Sequence, residues 1–311
     1  MISIVVPVFN EEESLPIFYK ELIQVSPQLD KSYEIIFIDD GSTDGSLGIL
    51  KEFKKRNNNV RIFSFRKNLG KGEALTLGFG KATGDTVITL DADLQDKPSE
   101  IHRLLKKYKE GIDIVVGWRK ERKDTSKMIL ISRLFNFIVG RVFGLKLHDY
   151  NCGLKVYSKE AAKTLRLYGG LHRFIPLLLS QQGFTVDEVV VEHEKRQYGK
   201  SKYGFSKVWK DLPDIFTMLF LVKYGQRPLH FFGLIGGFLV VIGAFSLIYL
   251  TTLWFMGESI GRRPLLLFGV LLVIAGLQIF FTGFLAELII DTSQKPQSIE
   301  KEKAIVKYES S

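Results

Sequence analysis

The sequence predicts an α/β protein in which a doubly wound, mostly parallel sheet is followed by a C-terminal two-helix transmembrane hairpin. Two observations support this prediction. Apolar, β-branched runs alternate with charged amphipathic segments in the first part of the chain, an order typical of βαβ units. Later, residues 228–257 and 264–286 contain no Asp, Glu, Lys or Arg, and each stretch is long enough to cross a bilayer. The alternative is a pair of buried helices in a soluble domain.

The predicted sheet begins at the start of the sequence. Five runs are predicted as strands: ISIVVPV, YEIIFID, VRIFSF, DTVITLD and DIVVGW. The segments between them are predicted as helices over residues 11–26, 43–57, 71–82 and 98–110. In parallel α/β sheets, ligands bind beyond the carboxyl ends of the strands. All five predicted strands are followed by polar, ionisable or glycine-rich residues, so the sequence predicts a site at this edge.

Two carboxylates follow the fourth predicted strand. Asp91 and Asp93 are separated by one residue, which in an extended chain places both side chains on one face. Hard oxygen ligands with open positions suit Mg²⁺ or Mn²⁺, and such an ion stabilises a departing diphosphate. The alternative is a solvated surface turn.

Two further strand ends carry groups suited to a nucleotide. The segment NLGKG at residues 68–72 opens a helix with glycines and a lysine, and N–H groups at a helix N-terminus favour phosphate. A turn that merely requires glycine is the alternative. Asp39 and Asp40 offer acceptors for a base N–H or a ribose hydroxyl.

These motifs resemble a known family. PVFNEEESL, IDDGSTDGS, NLGKGEAL and DADLQD look like the sequential motifs of family 2 glycosyltransferases, which have the GT-A fold. GWRKER, SRLFNFIVGRVFGLKLHDYNCGLKVY and RQYGKSKYG resemble the dolichol-phosphate mannose synthase and polyprenyl-phosphate glycosyltransferase branch. The resemblance implies inverting, metal-dependent transfer of a hexose from a nucleotide sugar, of the UDP-glucose or GDP-mannose type, to undecaprenyl or dolichyl phosphate. The product would serve cell-envelope or protein glycosylation.

The resemblance also implies roles for particular residues. Nucleotide-sugar contacts are expected at Pro7, Asn10, Glu11, Asp39, Asp40, Lys71, Asp91 and Gln95. Metal contacts are expected at Asp91, Asp93 and Gln95. The lipid phosphate is expected at Arg119, Arg133 and Asn136, and the catalytic set is Asp93, Arg119, Arg133 and Asp149. Some relatives carry an aspartate deeper in the turn after Asp149, where this chain has Gly153. The role of Asp149 therefore stays open between orienting other groups and contacting the donor sugar.

The charge distribution predicts how the chain meets the membrane. The apolar stretches predict spans at about 229–256 and 264–288, joined by the short linker ESIGRR, so both flanks lie on one side. Residues 195–227 carry eight Lys or Arg against two Asp, which favours the cytoplasmic side. That segment and residues 126–146 are basic and rich in apolar side chains, as expected of segments at a lipid surface.

We therefore expect a cytoplasmic catalytic domain over residues 1–194, a basic juxtamembrane segment with an interfacial helix over 195–227, the spans over 228–290 and a polar tail over 291–311. Membrane lipids are expected partners. Nucleic acid is not, because the basic residues behind the net charge of +9 cluster beside apolar helices. The oligomeric state stays open between a monomer and a homo-oligomer.

Two other functions compete with this interpretation. A processive polysaccharide synthase is one, but the Q-x-x-R-W motif of that branch is absent from the sequence. A membrane-anchored binding protein with a dead site is the other. The presence of Asp91, Asp93, Arg119 and Arg133 argues against it.

Overall fold

The computed structural model describes residues 1–29, 32–120, 136, 140–141, 143–194, 220, 224, 227–261, 263–293 and 306–309. The chain forms two compact units, Met1–Asp214 with Ile299–Ser311, and Ile215–Ser298. Arg133 lies outside the described residues, as do most of the segments 126–146 and 195–227.

The first unit contains an eight-stranded sheet and six of the described helices. The strands are β1 Ile2–Val8, β2 Tyr33–Asp39, β3 Val60–Phe65, β4 Thr86–Thr89, β5 Ile114–Trp118, β6 Lys155–Ser158, β7 Val186–Val190 and β8 Val306–Glu309. The helices are α1 Leu15–Val25, α2 Ser46–Arg56, α3 Lys71–Lys81, α4 Ile101–Tyr108, α5 Lys159–Thr164 and α6 Ile175–Gln181. All five predicted strands and all four predicted helices are confirmed. Most of the helices begin a few residues later than predicted.

The strands are arranged in the order β7-β5-β6-β4-β1-β2-β3-β8. Neighbours are parallel except at β6, which is antiparallel to β4 and β5, and at β8, which is antiparallel to β3. This confirms the mostly parallel sheet. Because β6 runs the other way, its first residue, Lys155, lies opposite Thr89 and Val116 near the carboxyl ends of β4 and β5. The loop that precedes β6 therefore reaches the same edge as the predicted site.

The core lies between the sheet and its helices. Ile4, Val5 and Val6 of β1 are completely buried, as a central parallel strand covered on both faces requires. Helix α3 lies directly on β1, since a Cβ added to Gly78 would stand 2.3 Å from Val5 Cγ1. This close packing places the first residue of α3, Lys71, at the carboxyl edge of the sheet.

The second unit contains two long apolar helices, α7 Pro228–Phe255 and α8 Pro264–Ser293. Both are long and apolar enough to cross a membrane, and only 11% of the most apolar window of each is buried. A core helix of a soluble domain would be mostly buried, so the observation favours the predicted hairpin.

Glycines bring the backbones of α7 and α8 together. A Cβ on Gly276 would lie 2.6 Å from the carbonyl oxygen of Gly236, and one on Gly243 would lie 2.8 Å from that of Gly269. These glycines recur every seven residues within each helix. Small residues at such contacts let helices approach closely in lipid, where packing and not water exclusion drives association.

Candidate active site

The loops after β1 and β2 hold each other in place. Asn10 has a positive φ of 54°, a conformation that asparagine tolerates better than most residues. Its Oδ1 accepts a hydrogen bond from the Thr43 N–H at 2.8 Å, and its own N–H donates to Ser42 Oγ at 3.0 Å. The Glu11 N–H donates to Ser46 Oγ at 2.9 Å. Asn10 and Glu11 therefore shape this corner of the edge, and Pro7 lies just before it on β1.

Asp39 is buried at the end of β2. Its Oδ1 accepts a hydrogen bond from the Ser42 N–H at 3.1 Å, and its Oδ2 accepts one from Ser64 Oγ at 2.6 Å. Asp39 thus ties β2 to β3 and to its own loop. Its predicted contact with a nucleotide stays a prediction.

Asp40 organises the glycine-rich segment that precedes α3. Its carboxylate accepts hydrogen bonds from the N–H of Leu69 at 2.7 Å, the N–H of Gly70 at 3.0 Å and Asn68 Nδ2 at 3.0 Å. Burial raises the pKa of Asp40 above its ordinary value despite these bonds. Gly70 has a φ of 107° and directly precedes α3, so the turn needs glycine here. The phosphate role of the segment stays a prediction.

Lys71 and Asp91 form an ion pair across the carboxyl ends of the central strands. The Lys71 Nζ lies 2.7 Å from both carboxylate oxygens of Asp91. Burial disfavours the charged carboxylate, but the charge and hydrogen bond of Lys71 prevail and lower its pKa. The structure thus brings together two residues predicted from separate motifs and keeps Asp91 ionised at neutral pH.

Asp93 and Gln95 belong to a tight turn after Asp91. Leu94 has a positive φ of 61°, and the Gln95 N–H donates to Asp93 Oδ1 at 3.2 Å. No group of three or more His, Cys, Asp or Glu side chains that could hold a metal ion is found among the described residues. A set of two carboxylates and one amide oxygen still suits Mg²⁺ or Mn²⁺, which keep positions open for phosphate oxygens. Asp91, Asp93 and Gln95 therefore fit a divalent cation by the chemistry of their donors.

Gly153 lets the turn before β6 pass close to two carboxylates. A Cβ at this position would lie 2.5 Å from Asp91 Oδ2 and 3.0 Å from Asp96 Oδ2. The Gly153 N–H donates to Asp96 Oδ2 at 3.2 Å, and Cys152 Sγ lies 3.7 Å from the same oxygen. No side chain fits here without displacing Asp91 or Asp96, so an aspartate could not occupy the position of Gly153 in this arrangement.

We expect Gly153→Ala to reduce kcat/KM about 100-fold, because the added methyl group displaces Asp91 from its position beside Lys71. Overpacking should also lower the free energy of unfolding by about 1–3 kcal/mol. Steady-state kinetics and thermal unfolding would measure the two effects. Gly48→Ala is the matched control, since a Cβ on Gly48 of α2 meets nothing within 4 Å. Equal activity of the two variants would contradict the prediction.

Arg119 and Asp149 form a buried bidentate pair on the other side of β6. Arg119 Nε donates to Asp149 Oδ2 at 2.6 Å, and Nη2 donates to Oδ1 at 3.0 Å. Only 10% of the Arg119 side chain and 3% of the Asp149 side chain are exposed. Burial alone would lower the pKa of Arg119, but the Asp149 carboxylate raises it well above its ordinary value. Asp149 thus orients the guanidinium. Of the two roles left open by the sequence, this arrangement favours orienting other groups over contacting the donor sugar.

Asn136 contacts the segment of chain that carries Asp149. Its Nδ2 donates to the carbonyl oxygen of His148, the residue before Asp149. The His148 ring stacks on Trp118 with centroids 3.9 Å apart, and its Nδ1 pairs with Glu188. Asn136 therefore helps to hold the segment that carries Asp149. The predicted contacts of Arg119, Asn136 and Arg133 with a lipid phosphate stay predictions.

Sequence reasoning did not single out three residues near the site. Asp96 and Lys155 are buried, and His172 belongs to the 3₁₀ helix Gly169–Phe174. Burial and the nearby Lys71 lower the pKa of Lys155 to about 8 and that of His172 to about 3. The available signal was a lysine that opens the short strand KVYS directly after HDYNCGL. A cavity is lined by residues from β4, β6, α3 and this 3₁₀ helix, among them Lys71, Asp91, Asn151, Gly153, Lys155 and His172.

Comparison with known proteins identifies the family. The model of "Glycosyl transferase family 2" matches residues 3–166. The chain is 36% identical to dodecaprenyl-phosphate galacturonate synthase of Rhizobium johnstonii over 94% of this chain and 88% of that protein. It is 34% identical to undecaprenyl-phosphate 4-deoxy-4-formamido-L-arabinose transferase of Proteus mirabilis over 93% of this chain and 88% of that protein.

A solved structure shows the same fold at lower identity. Glucosyl-3-phosphoglycerate synthase from Mycobacterium tuberculosis, in complex with Mn²⁺ and UDP-glucose, superposes with a TM-score of 0.53 at 20% identity. The match covers 71% of this chain and 78% of that one. These findings confirm the resemblance inferred from the motifs: the chain is a glycosyltransferase and belongs to family 2.

Proposed function

We propose that this protein is a membrane-anchored, inverting glycosyltransferase that moves a sugar from a nucleotide sugar to a polyprenyl phosphate. The observation that carries the proposal is the strand order β5-β6-β4. It places the Arg119–Asp149 pair, after β5, and the Lys71–Asp91 pair, at the end of β4, on either side of β6. The Lys71–Asp91 pair suits the diphosphate of a nucleotide-sugar donor, and the Arg119–Asp149 pair suits the phosphate of the acceptor. The two relatives named for dodecaprenyl and undecaprenyl phosphate support the class of acceptor.

On the donor side are the Lys71 ammonium, which lies beside Asp91, and the first turn of α3, which begins at Lys71. They supply positive charge and hydrogen bonds for a diphosphate. A bound Mg²⁺ or Mn²⁺, held by Asp91, Asp93 and Gln95, would supply Lewis-acid stabilisation of the departing diphosphate. The nucleotide sugar would be of the UDP-glucose or GDP-mannose type, as the sequence resemblance implies.

On the acceptor side, Arg119 orients an anionic phosphate. A guanidinium bonds phosphate oxygens in a fixed geometry. A phosphate is already ionised, so it needs no strong general base. The hydrogen bonds from Arg119 to both oxygens of Asp149 support a positioning role for this carboxylate and not proton abstraction. A phosphate oxygen would bond to the anomeric carbon as the bond to the diphosphate breaks, which inverts that carbon in one step.

The connections of the hairpin support a single side for both of its flanks. After α8 the chain returns to the first unit, where β8 pairs with β3. Both ends of the hairpin therefore continue into the same compact unit. With the excess of Lys and Arg in residues 195–227, this supports a cytoplasmic catalytic domain.

The test uses the full-length protein in lipid nanodiscs with undecaprenyl phosphate and a panel of radiolabelled nucleotide sugars. We expect the label to enter the lipid fraction, EDTA to abolish this transfer, and Mg²⁺ or Mn²⁺ to restore it. Labelled polymer that grows without a lipid product would favour a processive polysaccharide synthase. Donor binding without any transfer would favour a binding protein with a dead site. Full activity in EDTA would contradict the metal assignment alone.

A further inference from the structure

We propose that Lys155 binds a carboxylate on the transferred sugar, so that the donor is a nucleotide-activated uronic acid; this inference rests on the function proposed above. Nothing in the motifs of the sequence assigns Lys155 a role. Three features of its surroundings support the assignment: its place along the sheet, its burial without an anionic partner, and the engagement of the neighbouring carboxylates.

The place of Lys155 follows from the strand order. Lys155 opens β6, opposite Thr89 of β4 and Val116 of β5. Asp91 lies just beyond the end of β4, and Arg119 lies just beyond the end of β5. In a direct displacement, the transferred sugar lies between the departing diphosphate and the attacking phosphate. If Asp91 marks the donor side and Arg119 the acceptor side, Lys155 therefore lies beside the position of the transferred sugar.

Lys155 is a buried cation without a carboxylate partner. Its relative exposure is 4%, and its Nζ donates a hydrogen bond to the carbonyl oxygen of Cys152. None of the carboxylates in the described part of the chain forms an ion pair with it. The two carboxylates that attract it, Asp91 and Asp149, are each bonded to another cation, Lys71 and Arg119. A buried ammonium in this state is costly, and an anion in the cavity would offset the cost.

The remaining groups of the cavity favour an anion over a neutral hydroxyl. The charged groups that line the cavity are Lys71, Asp91 and Lys155, and since Lys71 and Asp91 neutralise each other, Lys155 leaves one net positive charge there. Burial and the nearby Lys71 lower the pKa of Lys155 to about 8, so that Lys155 is still mostly protonated at neutral pH. The Tyr157 hydroxyl already shares a hydrogen bond with Thr89 Oγ1 at 3.3 Å. In the proposed function, Lys71 and the N–H groups at the start of α3 bind the diphosphate. The carboxylate of a uronic acid is the anionic group that a transferred sugar can itself bring to Lys155.

The experiment compares donors that differ only at C6 of the sugar. Full-length protein and K155M would be assayed with undecaprenyl phosphate and with UDP-galacturonate, UDP-glucuronate, UDP-galactose, UDP-glucose and GDP-mannose. For the unmodified protein we expect a uronate to exceed its neutral counterpart in kcat/KM by on the order of 100-fold. K155M should lose most of that preference, measured as the ratio of kcat/KM for each uronate to kcat/KM for its neutral counterpart.

Two controls separate recognition from folding. K163M is the matched variant, since Lys163 Nζ also donates to a backbone carbonyl, that of Gly80, but does not line the cavity. It should keep the donor preference. Calorimetry adds a readout besides activity: K155M should bind UDP like the unmodified protein and bind UDP-galacturonate or UDP-glucuronate more weakly.

Each outcome bears on one proposal. A preference of the unmodified protein for a neutral sugar, or an equal loss with both donor classes in K155M, would overturn the role of Lys155 and leave polyprenyl-phosphate transfer standing. Absence of transfer from every donor would count against the proposed function. In that case, equally tight binding of UDP-galacturonate or UDP-glucuronate by K155M and by the unmodified protein would still refute the role of Lys155.

Discussion

Asp93→Ala is expected to lower kcat by about 1,000-fold or more while the protein stays folded. Asp93 is half-buried in a tight turn, where its Oδ1 accepts a hydrogen bond from Gln95 two residues away. The substitution therefore removes a proposed metal ligand and one hydrogen bond within this turn. Turnover with saturating donor and undecaprenyl phosphate would measure the effect, and thermal unfolding would show whether the fold persists.

Asp85→Ala is the matched control for this variant. Asp85 stands at the opposite end of β4, its side chain is 71% exposed, and it pairs with the N-terminal amine of Met1 at 3.0 Å. Its removal should leave turnover unchanged, because the pair is remote from the carboxyl edge and exposed to solvent. If Asp93→Ala turns over at a near-normal rate, Asp93 does not hold a metal needed for transfer.

Asp149→Ala is expected to affect both stability and acceptor use. It leaves the Arg119 guanidinium buried without its bidentate partner, which should cost about 3–5 kcal/mol in the free energy of unfolding. A guanidinium freed from its partner no longer presents a fixed geometry to the acceptor phosphate. We therefore expect kcat/KM for undecaprenyl phosphate to fall by on the order of 100-fold.

The donor side provides the internal control for Asp149→Ala. UDP binding, measured by calorimetry on the same preparation, should be unchanged because Lys71 and Asp91 keep their own pair. Asp187→Ala is a matched variant that removes an exposed ion pair with Lys107, and it should leave both acceptor use and thermal unfolding unaffected. Equal losses of donor binding and acceptor use in Asp149→Ala would show that Asp149 supports the whole site and not the acceptor side.

Much of the secondary structure depends on the local sequence and could therefore be predicted. Runs such as ISIVVPV and YEIIFID contain the apolar, β-branched residues that a buried parallel strand needs, and the structure forms strands over the same residues. The apolar helices were equally predictable, since a long stretch without charge has few other structures available. Strand β6 was not predicted, because its four residues KVYS contain a lysine and a serine and show no distinct pattern. Strand β8 lies within a tail expected only to be polar, and it forms by pairing with β3.

The candidate site likewise has features that the sequence predicts and features that it does not. Asp91, Asp93, Lys71, Arg119 and Asp149 could all be named as candidates, because each belongs to a motif or follows a strand. Their pairing could not be named, because Lys71 and Asp91 are 20 residues apart and Arg119 and Asp149 are 30 apart. Gly153 is likewise far from Asp91 and Asp96 along the chain, and only the close approach of these two carboxylates explains why glycine is needed there.

The sequence by itself determined the class of the protein: a family 2 glycosyltransferase domain, ordered candidate residues at strand ends, and an apolar hairpin. These features depend on the types of residues and their spacing along the chain, which are local properties. The tertiary structure alone decided that β6 runs antiparallel between β4 and β5, and therefore that Lys155 lies buried between the two charged pairs. The physical reason is that ion pairing and burial depend on which segments, distant along the chain, come into contact in the fold. The local pattern of residues does not determine those contacts.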